Sequence, residues 1–271
     1  MKAVFSLVFL CFSVFAHAQQ DTIFFGNEKL IVTVKEVGEE SIKYTYPGED
    51  IINSIYKNSV SKISYRSGRV QIFREAVNFH PVNSVSEWER VSISQLESEV
   101  KGLFKVGDVS AKAKGGTALT GEARVKDRAF KKLKIRTAML GGNVIYMTQL
   151  DSKGNQYNSW MSQSAEANLS AIAYSNVLPQ IDEFNKLISG KKSFKLTERL
   201  SLRGDGVDVS SASIDGVFHL VSVSNQNGHL YVTGKINNGK ETDYRVVRFN
   251  EQTFSLFYKD KATLYNFIFK F

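Results

Sequence analysis

The stretch EARVKDRAFKKLKIRTAML at residues 122–140, followed by Gly141-Gly142 and NVIYMTQL at 143–150, decides how this chain is built. Ala129, Phe130, Leu133, Thr137 and Leu140 recur at three- and four-residue steps, so they share one stripe of a helix while most of the charges turn away from it. The paired glycines supply the stop, because glycine takes the positive φ of a helix C-terminus at no steric cost. Residues 143–150 then read as a buried-type strand, 151–156 as a turn and 167–174 as a second strand. Strands flanking one long helix make an α+β unit, whose bounds are set at 86–178.

Upstream of the helix, residues 88–93 open the unit, and 100–104 with 106–112 read as a hairpin. His80-Pro81, among polar residues, marks a linker before it. Residues 19–77 show short β-type runs at 22–25, 30–35, 41–46, 62–65 and 70–73, broken at Gly26-Asn27, Gly38-Glu39 and Ser67-Gly68. Alternation in the second run turns Val32 and Val34 inward and leaves Ile31, Thr33 and Lys35 on the solvent side. So many short strands protect their edges by curling into a small β-barrel. Downstream, Pro179 and a short helix at 180–188 precede strands at 194–202, 207–211, 217–224, 230–236, 244–249, 253–258 and 263–269. Their regular spacing gives residues 190–271 as an antiparallel β meander or barrel.

The pattern Asp-Thr-Ile at 21–23, then Val-Lys-Glu-Val-Gly at 34–38 and Ile-Ser-Tyr-x-x-Gly at 63–68, resembles the small barrels of SH3 or Sm type that begin many exported bacterial proteins. Ala129-x-x-x-Leu133-x-x-x-Thr137-Ala138-x-x-Gly141-Gly142-Asn143-Val144-Ile145 resembles the envelope domain of YbjQ-like proteins and of the outer-membrane sensor of the Rcs stress pathway, over residues 88–174. Thr137 and Gly142 stand where alanine is usual there, and the sensor's paired cysteines are missing. The resemblance implies a fold and an envelope setting, not a reaction.

The N-terminus agrees with that setting. An apolar run at 3–15 follows Lys2 and ends in Ala16-His17-Ala18, the form of a cleaved export signal over residues 1–18 and too short for a spanning helix. Cleavage removes the single cysteine, Cys11, so no disulfide can form and stability must come from burial. The mature chain has no run long enough for a transmembrane helix. A hydrophobic content of 42% is that of a globular chain, which argues against disorder. The expected product is periplasmic or secreted.

The net charge of +8 is concentrated. Between Lys101 and Arg136 stand eleven cations against Asp108, Glu122 and Asp127. Arg124, Arg128, Lys131, Lys132 and Arg136 lie on the helix, and two readings compete for them. One is a face that binds an anionic envelope polymer, lipid headgroups or an envelope protein. The other is an ordinary solvated helix face. Under the first, reversing Lys131, Lys132 and Arg136 to Glu abolishes retention without unfolding the protein. Nucleic acid is not an expected partner of an exported chain without interleaved aromatics.

No other motif carries chemistry. Asp205-Gly206-x-Asp208 and Asp151-x-x-Gly154-Asn155 look like calcium loops but lack the distal bidentate Glu, and hairpin turns explain them. His80, His219 and His229 show no spacing of a metal site, and no Gly-x-Ser-x-Gly elbow is present. The sequence therefore points to no catalytic residue, no metal and no cofactor, and to a binding or scaffolding protein rather than an enzyme. One alternative is a carrier holding an apolar molecule inside the C-terminal β domain, lined by Phe218, Leu220, Tyr231, Phe249, Phe257 and Phe267. Another is a hydrolase assembled across domains.

Overall fold

The computed structural model describes residues 20–25, 28–73, 79–117, 120–157 and 162–271, and residues 1–18, where an export signal is expected, lie outside them with Cys11. The protein is mostly β, with several sheets and few helices. It divides into two compact units, Met1–Val77 and Asn78–Phe271.

The first unit holds β1 (Asp21–Phe25), β2 (Glu28–Val37), β3 (Ser41–Thr45), β4 (Asn53–Tyr56), β5 (Val60–Ser64) and β6 (Val70–Ile72), paired in the order β4-β3-β2-β1-β5-β6. β5 returns beside β1 instead of continuing the meander, which curls the inner residues Ile23, Val32, Ile42, Val60 and Ile63 into one core. Asp21, buried at the start of β1, accepts the backbone N–H groups of Val34 and Arg66, both at 2.8 Å. The first residue of the Asp-Thr-Ile motif thus ties β2 to the β5–β6 turn. Two expectations change here. The hydrogen-bonded ladder among the described residues is open, ending at the short strands β4 and β6, where a closed barrel is expected. Brevity is one way a sheet tolerates a free edge. β4 itself is unforeseen, because Asn53-Ser54-Ile55-Tyr56 is short and half exposed, without a strong apolar alternation.

The second unit begins with a 3-10 turn at Val85–Arg90, then β7 (Ser92–Ser94), α1 (Glu97–Val100), β8 (Phe104–Lys114), α2 (Glu122–Met139), β9 (Val144–Lys153), the small hairpin β10 (Gln156–Tyr157) and β11 (Ser162–Gln163), and β12 (Glu166–Ser175). The four-stranded sheet runs β7-β9-β12-β8, with β7 parallel to β9 and β8 on a free edge. The hairpin expected at 100–112 is instead α1 followed by one eleven-residue strand. Gly107 is not a turn: the ladder to β12 steps from Gly107 to Lys105 and skips Val106, which makes a bulge.

Helix α2 ends in a Schellman turn, with Gly142 N–H donating to the Thr137 carbonyl at 2.9 Å and Gly141 N–H to Ala138 at 3.1 Å. Gly141 has a φ of +83°, and a Cβ there would lie 2.9 Å from the Val247 carbonyl oxygen, so glycine is required twice over. One face of α2, with Val125, Ala129, Leu133 and Ala138, packs on the sheet. Many of the residues it meets on β8 and β12 are alanines, which let the helix approach closely.

α3 (Ile181–Ile188) leads into β13 (Ser193–Leu202), β14 (Ser210–Gln226), β15 (His229–Ile236), β16 (Thr242–Phe249), β17 (Thr253–Asp260) and β18 (Thr263–Lys270), which close into a barrel. The runs expected at 207–211 and 217–224 belong in large part to the single seventeen-residue β14. Asn227 and Gly228, both at positive φ, turn β14 into β15. Inside, the Phe218 ring lies over Gly234, where an added Cβ would be 2.4 Å from it. Phe184 of α3 packs on Phe249 and Phe254 and covers one end. A second face of α2, Ile135 and Met139, packs with Val85, Leu202 and Leu264. The α+β layer and the barrel therefore share α2 as a common core element.

Candidate functional site

The cations of α2 meet the free edge of β8. Arg128 Nη2 donates to the Lys114 carbonyl at 3.2 Å, Lys132 Nζ to Lys112 at 3.0 Å, and Arg136 Nη1 to Ser110. The match is geometric. Four helical residues rise about 6 Å and two strand residues about 7 Å, so cations four apart meet edge carbonyls two apart. Beyond the bulge, Arg245 of β16 continues the series, donating to Val106 at 2.7 Å. An edge strand offers unpaired carbonyls to any passing strand, and four cations seal this one.

The same groups join the layers. Lys132 also donates to the Asp205 carbonyl at 3.2 Å and Arg136 to Gly204 at 2.9 Å, both in the loop between β13 and β14. Lys131 pairs with Asp208 at 2.6 Å and stands 5.5 Å from the centre of the Trp88 ring. From the barrel side, the last carbonyls of α2 each receive a donor: Ala138 from Arg248, Met139 from Asn266 at 3.0 Å and Leu140 from Arg245 at 2.8 Å. Cationic donors at a helix C-terminus also oppose the negative end of its dipole.

Burial leaves its mark on these groups. Desolvation, followed by the charge of Arg136, holds the Lys132 ammonium below its ordinary value, with Asp205 pulling the other way. Burial lowers Arg136 and Arg245 as well, and pushes Arg248 down to about 10. Arg248, at about 10, remains cationic at neutral pH, with the carbonyls of Val82 and Ala138 as its acceptors.

Of the five residues read from the sequence as an anion-binding face, Arg128, Lys131, Lys132 and Arg136 are thus engaged within the protein. Arg124 alone of the five is exposed, with no partner among the described residues. Reversing Lys131, Lys132 and Arg136 would set carboxylates against carbonyl oxygens, so that triple variant is expected to unfold rather than merely lose retention. The four-residue repeat of Arg128, Lys132 and Arg136 was the sequence signal for the ladder. Arg245, Arg248 and Asn266 carried none.

The other sequence candidates also find places. Asp205 and Asp208 serve Lys132 and Lys131, and Asn155 accepts the Ala165 N–H at 2.7 Å while donating to the Thr120 carbonyl. Among the described residues no group of three or more His, Cys, Asp or Glu could hold a metal ion. Nor is any helix among them long and apolar enough to cross a membrane. Within the supposed carrier lining, Phe218 and Leu220 are buried in the barrel core, and Phe249 and Phe267 pack against it. Tyr231 and Phe257 do not belong there. They flank Arg245 in one cross-strand row and line an outer pocket of about 130 Å³ with Asp243, Tyr258 and Lys259.

Free cations and exposed aliphatics come together on the first unit. Register places Ile31, Thr22, Ser64 and Val70 in one row across β2-β1-β5-β6, and Lys29, Phe24, Lys62 and Ile72 in the next. Ile31, Val70 and Ile72 are 52%, 53% and 75% exposed. Lys62 Nζ stands 4.6 Å from the centre of the Phe24 ring, and the Arg69 guanidinium 4.1 Å from that of Tyr65. These two rows contain lysines and no carboxylate. No family model, no curated protein and no solved structure matches the chain.

Proposed function

We propose that this is a non-enzymatic binding or scaffolding protein of a bacterial envelope, which contacts an anionic component through the outer face of its N-terminal sheet. The observation that carries this reading is the pair of cross-strand rows in which Lys29 and Lys62 stand among the exposed Ile31, Val70 and Ile72. Each near-surface lysine contributes about 1 kcal/mol of attraction to an anionic surface. The export signal at 1–18 and the likeness of 129–145 to an envelope domain support the setting, periplasmic or secreted. The helix cations, spent on β8 and the barrel loop, serve the scaffold.

Co-sedimentation of the protein with envelope fractions across a salt series tests this. Exposed contacts weaken as the screening length falls from about 10 Å at 0.1 M to about 3 Å at 1 M, so retention should fall steeply with salt. Absence of binding even at low salt would refute the proposal.

A further inference from the structure

We infer that the anionic component is a lipid surface, on which the outer face of the N-terminal sheet lies with Ile31, Val70 and Ile72 in the headgroup layer. This rests on the assignment of the anion-facing surface to that sheet. A soluble polyanion asks only for cations. Here the two rows that cross β2, β1, β5 and β6 also carry exposed aliphatic side chains, Ile31 and Val70 in the first and Ile72 in the second. Four strands at about 4.8 Å spacing make the face roughly 14 Å wide, enough to set several side chains against one surface. Exposed apolar area of this kind on a soluble domain marks an interaction site when it is contiguous.

The cations are arranged to suit a bilayer interface. Lys62, between Phe24 and Ile72 in the second row, holds its ammonium 4.6 Å from the centre of the Phe24 ring, so its charge stands beside aromatic and aliphatic side chains of the same face. A membrane interface offers the complement: acyl and glycerol layers for the aliphatic side chains, phosphates for the ammonium groups of Lys29 and Lys62. Binding to it scales with buried apolar area plus electrostatic attraction. The other exposed aliphatics of this unit are a useful contrast. Ile51 and Ile52, 68% and 64% exposed, follow Glu49 and Asp50, whose charges oppose an anionic surface.

The experiment is flotation of the full protein with vesicles of phosphatidylethanolamine containing phosphatidylglycerol, against vesicles of phosphatidylcholine alone and against dextran sulfate in solution. Anionic vesicles should carry the protein and neutral ones should not. Val70→Ser with Ile72→Ser should weaken vesicle binding about tenfold or more, as two partly inserted aliphatics are lost. Lys29→Glu with Lys62→Glu should abolish it at low salt, and Ile51→Ser with Ile52→Ser should leave it unchanged. All six positions are exposed, and circular dichroism confirms that each variant is folded. Capture by dextran sulfate without vesicle binding would overturn the lipid assignment and leave the anion-facing surface standing. Vesicle binding indifferent to both face variants would overturn the two together.

Discussion

Lys132 on α2 and Lys112 on β8 meet through an ammonium and a backbone carbonyl 3.0 Å apart, four residues after Arg128 reaches Lys114 and four before Arg136 reaches Ser110. Two lysines that look from the sequence like members of one basic surface are donor and acceptor in a part-buried contact. Four of the eleven cations between Lys101 and Arg136, namely Arg128, Lys131, Lys132 and Arg136, close a sheet edge or fasten a barrel to it.

Replacing Lys132 with Met keeps most of the volume but leaves the Lys112 and Asp205 carbonyls without their donor. Loss of a donor to buried groups costs about 1–3 kcal/mol, so Lys132→Met should lower unfolding stability in urea by about 2 kcal/mol. Arg124→Met, at the exposed position, should change it by less than about 0.5 kcal/mol. Equal effects from the two would mean that Lys132 holds nothing.

Arg248 donates to Val82 and Ala138 at once, and its substitution should loosen the barrel from α2. Arg248→Met should cost about 3 kcal/mol, given about 1.5–3 kcal/mol for each hydrogen bond to a charged group. Trp88, beneath Lys131 and packed with Ile135 and Met139, reports on this junction by fluorescence. In a Trp160→Phe background its transition should move to lower urea ahead of the far-UV signal, while coincident, unshifted curves would contradict the fastening role.

His229 begins β15, and burial followed by the charge of Arg245 holds its imidazole below the ordinary 6.5, against a backbone contact from Lys105 that raises it. The sign follows directly. Below pH 6.5 the unfolded chain binds a proton that the folded one refuses, so stability falls as pH drops through 6.5 toward the folded value and levels below it. His229→Asn should flatten that part of the curve of urea midpoint against pH. An unchanged slope would assign the pH dependence elsewhere.

Much of this architecture is legible in local pattern. The stripe of Ala129 and Leu133 with Gly141-Gly142 placed α2 and its stop, and alternation in β2 turned Val32 inward and Ile31 outward. What escaped was set by tertiary contact. Gly107 beside Val106 reads as a turn, yet pairing with β12 holds both in one bulged strand. Tyr231 and Phe257 read as interior aromatics, but register puts them in the outward row with Arg245. Helix periodicity put Lys132 among outward charges, because the four-residue repeat of cations shows a common face but not that a free strand edge lies against it. The basic and apolar rows of the first sheet need β2, β1, β5 and β6 side by side, from segments as far apart as Lys29 and Ile72.

That the free cations of the N-terminal sheet, and not those of α2, meet the anionic partner is tested most directly by one paired comparison. Lys29→Glu with Lys62→Glu and, separately, Arg124→Glu would be co-sedimented with envelope fractions at low salt beside the unchanged protein. The sheet variant should lose retention and the helix variant should keep it. Retention lost by Arg124→Glu and kept by the sheet variant would return the anionic contact to the helix.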